Sequence, residues 1–227
     1  MNFIPTLSTV VTLVFAIMVF RRYQMKGGMH QLFWAVGLLF YGLGTLSEVT
    51  LGFTFNEYVL KLWYLTGAML TAAWLGQGSI HLLIRKGKWA FYLTYALGAV
   101  SILALILVFL APLTGAQANY NLAGTASEQY KAILTRNGLI VFLTIFLNIY
   151  GTFALVGGAA YSAFLFWRKK VLAGRMFGNV FIALGALSPA MAGTLVKAGL
   201  VDALYISEFV GALLMFLGFI LATSGKE

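Results

Sequence analysis

Seven runs of about twenty apolar residues follow one another along this chain, parted by short connections that are strongly basic at every second crossing. Hydrocarbon tolerates a backbone only where every N–H and C=O is paired inside the chain, which leaves helices and closed barrels as the spanning forms. The alternating segments of about ten residues that mark a barrel are missing. The expected fold is therefore all-α, an integral membrane bundle of seven transmembrane helices over residues 3–20, 30–52, 58–84, 89–111, 137–167, 176–199 and 203–223. Residues 1–227 read as a single seven-helix domain with one long outer loop at 112–137.

Charge gives the bundle a direction. Eleven of the fifteen Lys and Arg fall at one set of helix ends: Arg21, Arg22, Lys26, Arg85, Lys86, Lys88, Arg168, Lys169, Lys170, Arg175 and Lys226. Five of the six acidic residues, Glu48, Glu57, Glu128, Asp202 and Glu208, fall at the other, with only Lys61, Lys131, Arg136 and Lys197 beside them. Short basic loops resist translocation, so the amino terminus is expected outside and the carboxyl terminus in the cytoplasm. The first apolar run is followed by Arg21 and Arg22 rather than by a small-residue cleavage site, so it is expected to remain as the first helix. The location this implies is a bacterial-type inner (plasma) membrane, crossed many times.

Composition excludes several classes. With 61% hydrophobic and 9% charged residues and a mean hydropathy of +0.92, the chain is too apolar for a soluble domain. Its net charge of +9 sits in loops against the membrane, where anionic lipid headgroups are the natural partner, and no nucleic acid is expected. The absence of cysteine removes disulfides, thiolate metal sites and iron–sulfur clusters.

The outer loop begins turn-rich and then carries Thr125 or Ser127 as a helix N-cap, Glu128 early and Arg136 late, the pattern of a short surface helix. Such a helix is placed to cap a cavity, or to serve only as a solvated connector. Gly185, Pro189 and Gly193 recur every four residues in the sixth helix, Gly174 and Gly178 open it, and Gly151, Gly157 and Gly158 mark the fifth. Small residues let membrane helices approach closely. Pro189 removes one backbone donor and is the candidate hinge.

Helix three presents Lys61, Tyr64, Gly67, Thr71, Trp74, Gly78 and His81 at three- and four-residue spacing, which places them on one face. Helix two offers Tyr41, Thr45 and Glu48, and helix seven Tyr205 and Glu208. At 1.5 Å per residue Glu48 lies about 27 Å from the cytoplasmic start of its helix, in the outer third. Ionisable groups inside a membrane mark functional sites. A ligand site is expected from Glu48, Lys61 and Glu208, with Lys197 as a further member and Tyr64, Asn148 and Tyr205 supplying hydrogen bonds and aromatic walls. The alternative is a Glu48–Lys61 salt bridge, with Glu208 and Lys197 reaching to the interface.

His30 and His81, the two histidines, are placed near the cytoplasmic ends of helices two and three. They are candidate axial ligands of a b-type haem, with Arg21, Arg22 or Arg85 on its propionates; the plainer reading is no cofactor and two polar residues at helix ends. No nearby carboxylate completes a metal site. No lysine falls between Gly211 and Ala222 to bind retinal, and no HExxH, GxSxG or phosphate-binding loop is present, so the chain is not expected to be an enzyme.

The basic turn RRYQMKGGMHQLFW into helix two, the aromatic and small-residue helix three WYLTGAMLTAAWLGQGSIHLL, and the basic entry RKKVLAGRMFGNVFIALGAL to helix six carry a resemblance. In this order they resemble the seven-helix sensor modules at the amino terminus of some bacterial histidine kinases. Those modules feed a cytoplasmic output domain, whereas this chain has four residues after Thr223. The resemblance implies a receptor-like sensor or accessory membrane subunit and carries over no catalytic residue. The function expected is binding of a small molecule or lipid from the outer side, with the signal passed to a protein partner. A transporter or channel along the seam of helix three, a haem-binding electron carrier and a structural subunit of a membrane complex are the competing readings.

Overall fold

The two glycines that end the first helix, Gly27 at φ 69° and Gly28 at φ 94°, turn the chain straight into the second. Both angles lie in the left-handed region that side chains resist, and the resulting hairpin sets α1 (Ile4–Lys26) against α2 (Met29–Leu51). The computed structural model describes residues 3–84, 86–170, 173–197 and 202–224, with side chains described except at 190–197, 202 and 203. Arg85 and Lys226 fall outside the described residues, as does the side chain of Lys197.

α3 covers 57–83 in three parts, Glu57–Trp63, Tyr64–Leu70 and Thr71–Leu83. Asn56 starts it by accepting from the amides of Tyr58 and Val59. α4 is Trp89–Leu110, α5 the short Ala126–Ile133, α6 Gly138–Lys169, α7 Ala173–Lys197 and α8 Asp202–Ser224. Asn137 caps α6 through the Ile140 amide, and Lys170, at φ 50°, ends it in the left-handed conformation. Described residues form no strand; one bridge, Leu113 with Leu134, ties together the two ends of the 112–137 excursion.

Six helices close a ring. α1 packs on α2, α2 on α3, α3 on α6, α6 on α7, α7 on α8, and α8 returns to α1, while α4 lies outside against α3. Close approach at the α3–α6 crossing depends on Gly76 and Gly151: a Cβ on Gly151 would sit 2.1 Å from the Ala72 carbonyl carbon. The α7–α8 pair is similar, with Gly185 and Gly211 meeting backbone to backbone. Five helices are long and apolar enough to cross a membrane: Ile4–Lys26, Met29–Leu51, Trp89–Leu110, Gly138–Lys169 and Leu204–Ser224.

Two apolar clusters fill the bundle. One joins α3, α4, α6 and the excursion through Leu60, Tyr64, Met69, Val108, Ile133 and Leu147. The other fills the ring toward its basic end through Phe15, Leu38, Leu75, Leu155, Met215 and Phe219.

Candidate functional site

Tyr64–Leu70, in the middle of α3, is π-helical. The Thr71 amide and the Thr71 Oγ1 both donate to the Thr66 carbonyl, five residues back. From α6, Asn148 Nδ2 donates to the Ala68 carbonyl at 2.7 Å and so supports this wider turn from outside the helix. Such insertions concentrate at functional sites. This one also breaks the single face expected from residue spacing. Lys61, before it, and Tyr64, at its start, face α4 and α6, whereas Trp74, Gly78 and His81, after it, face α2 and α4.

At the level of the π turn the ring encloses a cavity of about 340 Å³. Its walls are Tyr41, Thr45 and Glu48 of α2, Gly67, Ala68 and Thr71 of α3, Asn148 and Thr152 of α6, Pro189 of α7 and Glu208 of α8. Its floor is Leu75, Leu155 and Met215, which belong to the apolar cluster at the basic end. Ser127, Tyr130 and the exposed Lys131 of α5 form its roof and rim.

The acids are the unusual part of this lining. Glu48 is 5% exposed, and its Oε1 and the Oε2 of Glu208 are buried without a hydrogen-bond partner among the described residues. Tyr205 reaches the Glu48 carboxylate with its hydroxyl. Tyr41 donates to the Glu208 main-chain carbonyl, which leaves that side chain facing the cavity. Thr45 is held from behind by the Thr9 hydroxyl of α1 at 2.9 Å.

A second cavity, of about 450 Å³, lies beyond the first and shares Glu48 with it. Phe3, Phe53, Tyr120, Thr125, Glu128 and Tyr205 are among its walls. Burial first, and the Glu48 charge second, push the Tyr120 phenol up to about 12.

α5 forms the roof because its start is locked. The Thr125 side chain accepts from the Glu128 amide, and the Glu128 carboxylate accepts from the Thr125 amide, a reciprocal cap. Tyr130 then inserts between α5 and α3, its ring 5.4 Å from those of both Trp63 and Tyr64 and 4.9 Å beneath the Arg136 guanidinium. Burial raises the Tyr130 phenol, and Arg136 opposes the shift.

Of the residues expected from the sequence, Glu48, Glu208 and Asn148 meet at the first cavity, and Tyr205 stands beside Glu48 at the second. Lys61 does not join them. Its Nζ donates to the Phe109 carbonyl at 3.2 Å and pairs with Glu57 at 3.6 Å, because this part of α3 faces α4, so no Glu48–Lys61 bridge forms. Tyr64 lies behind the wall, fully buried, its hydroxyl 2.8 Å from Thr144 Oγ1. Pro189 lines the cavity, against Gly211 of α8. Ala68, Thr152, Ser127 and Tyr130 were not anticipated; only Thr152, one turn after Asn148, carried a spacing signal.

His30 and His81 share a cleft of about 320 Å³ at the basic end. His81 Nε2 is 2.7 Å from Thr94 Oγ1, and the ring packs on Phe33 and Phe91, so axial ligation through Nε2 requires breaking that bond. Among the described residues no group of three His, Asp or Glu could hold a metal. Trp74 donates to Ser101 and packs on Phe33 and Phe40, and a Cβ on Gly78 would sit 2.2 Å from Trp34, so both positions are filled rather than open to a channel. The chain matches no protein-family model, no curated protein and no solved structure.

Proposed function

We propose that this is a receptor-like or accessory protein of a bacterial-type inner membrane, crossing it seven times with its amino terminus outside. It binds a small molecule or lipid from the outer side and acts through a protein partner, as the resemblance to sensor modules implies. α7, with 25 residues, spans about 37 Å at helical rise. α3 has 7, 7 and 13 residues in its three parts. Both exceed a hydrocarbon core of about 30 Å, which supports adding them to the five apolar spans. Basic residues at one end and acidic at the other support the orientation.

One observation carries the functional reading. The cavity holds buried acids, is roofed by a capped helix on the acidic side, and is floored by Leu75, Leu155 and Met215 toward the basic side. A pocket closed in this way suits recognition better than passage. Occupancy would bias the packing of α7 on α8 about Pro189, which touches both the cavity and Gly211, and so alter the Arg168 to Arg175 region that a partner reads.

The cysteine-free sequence makes the test direct. In intact cells a membrane-impermeant maleimide is expected to label Ser127→Cys from outside, and to label Lys169→Cys only after permeabilisation. The reverse pattern would put the cavity mouth in the cytoplasm and remove the reading.

A further inference from the structure

Resting on the ligand-binding reading above, we propose that the cavity takes a small amphipathic organic cation. Its ammonium group lies between Glu48 and Glu208, and its apolar part against Trp63, Leu155 and Met215. Charge is the first ground. A buried carboxylate demands donors or a counter-charge, yet one oxygen of each acid meets no partner among the described residues. The two acids also line the same cavity, so one cation placed between them can meet both.

Among the described side chains, the basic residues nearby do not supply that cation. Lys61 is committed to Phe109 and Glu57, and the exposed Lys131 holds its Nζ 6.0 Å from the Tyr130 ring centre at the rim. Aromatic groups add the second ground: Tyr41, Trp63 and Tyr130 all face the cavity, and such rings attract ammonium groups.

Size and ligand set separate an organic cation from a metal ion. At about 340 Å³ the cavity stands at the small end of ligand pockets, which run from about 300 to 1,000 Å³. Ala68, Leu75, Leu155 and Met215 give it apolar surface that a bare ion would not use. Two carboxylates also fall short of the six to eight oxygens, approximately, that a calcium ion gathers.

The test uses the purified protein in phosphatidylglycerol nanodiscs, whose lipid carries no ammonium group, with phenethylamine, its neutral isostere 2-phenylethanol, and phenylacetate as probes. Tryptophan fluorescence and thermal unfolding are the readouts. Saturable phenethylamine binding is expected, weakened by about tenfold or more for the other two probes and in Glu48→Gln and Glu208→Gln. Unfolding curves of the unliganded variants verify that they remain folded. Ala68→Leu, which fills the cavity and keeps both acids, is expected to abolish binding of every probe.

If the alcohol or acid binds as tightly as the amine and the Gln variants bind unchanged, while Ala68→Leu still blocks, the cation is wrong and the pocket stands. If sodium or calcium chloride alone stabilises the wild type but not the Gln variants, the site is an inorganic one and the amine is again overturned. No saturable response to any probe overturns both the amine and the ligand-binding reading. An amine can arrive free or as a lipid headgroup. Competition by phosphatidylethanolamine in the nanodisc assigns it to the headgroup, and lack of competition to a free amine.

Discussion

The Tyr41 hydroxyl on α2 donates to the main-chain carbonyl of Glu208 on α8 at 2.8 Å, joining the two helices that carry the buried acids. The phenol spends its hydrogen on backbone, so the neighbouring carboxylate is held in place without being satisfied. Tyr41→Phe removes that tie alone. A hydrogen bond between membrane helices is worth about 0.6 kcal/mol on average and at most about 1.7. Reversible unfolding in mixed detergent micelles should register a loss in that range, and an unchanged curve would show that the contact does not hold α2 to α8.

Two glycines of α6 should respond oppositely to one added methyl. A Cβ on Gly151 would press into the Ala72 backbone, whereas one on Gly157 meets nothing within 4 Å. Gly151→Ala is expected to lose about 1–3 kcal/mol by forcing α3 and α6 apart. Gly157→Ala is expected to be neutral or to gain up to about 1 kcal/mol from helix propensity. Equal effects in thermal unfolding would argue against the close crossing.

Tyr120 offers a pH test outside the membrane. Its phenol moves from 10.0 to about 12, by burial and then by the Glu48 charge. A raised folded value means that the stabilising contribution is complete below about pH 10 and lost as pH rises through about 12. The wild type should therefore lose stability over that interval that Tyr120→Phe retains. Ultraviolet difference titration of the two should show an ionisation near 12, moving lower in Glu48→Gln; an unmoved transition would separate Tyr120 from the acid.

Lys61 serves as the internal control. Because the buried Lys61 donates to the Phe109 carbonyl and pairs with the partly exposed Glu57, Lys61→Gln should cost about 1.5–3 kcal/mol in unfolding. It should leave amine binding within about twofold of wild type, since a shift of that size corresponds to less than half a kcal/mol. A tenfold change would return Lys61 to the site.

The helices and the two acids were legible for one reason. A carboxylate within an apolar run is costly against lipid, which marked Glu48 and Glu208 as candidates, although the sequence left open that Glu208 reaches to the interface instead. Lys61 misled because its stem reaches a backbone carbonyl of α4, and because residue spacing assumes one uninterrupted helix. The stretch YLTGAML gives no sign that its turns widen; the support comes from Asn148, 80 residues away in sequence. Asn148 was legible as a polar residue at the right depth, but its partner, the Ala68 carbonyl, was not. The roof was half legible: Thr125 and Glu128 announce the cap, while nothing in the sequence places Tyr130 over Trp63.

The floor of Leu75, Leu155 and Met215 makes the chamber a cul-de-sac. With the basic side closed, the α5 rim beside Glu48 is the doorway on the acidic side, and a guest that enters there leaves there. How long it stays is then set by how often that doorway yields. Substitution of Arg136, which pins the roof through the Tyr130 ring and does not line the chamber, would change residence time more than the resting affinity.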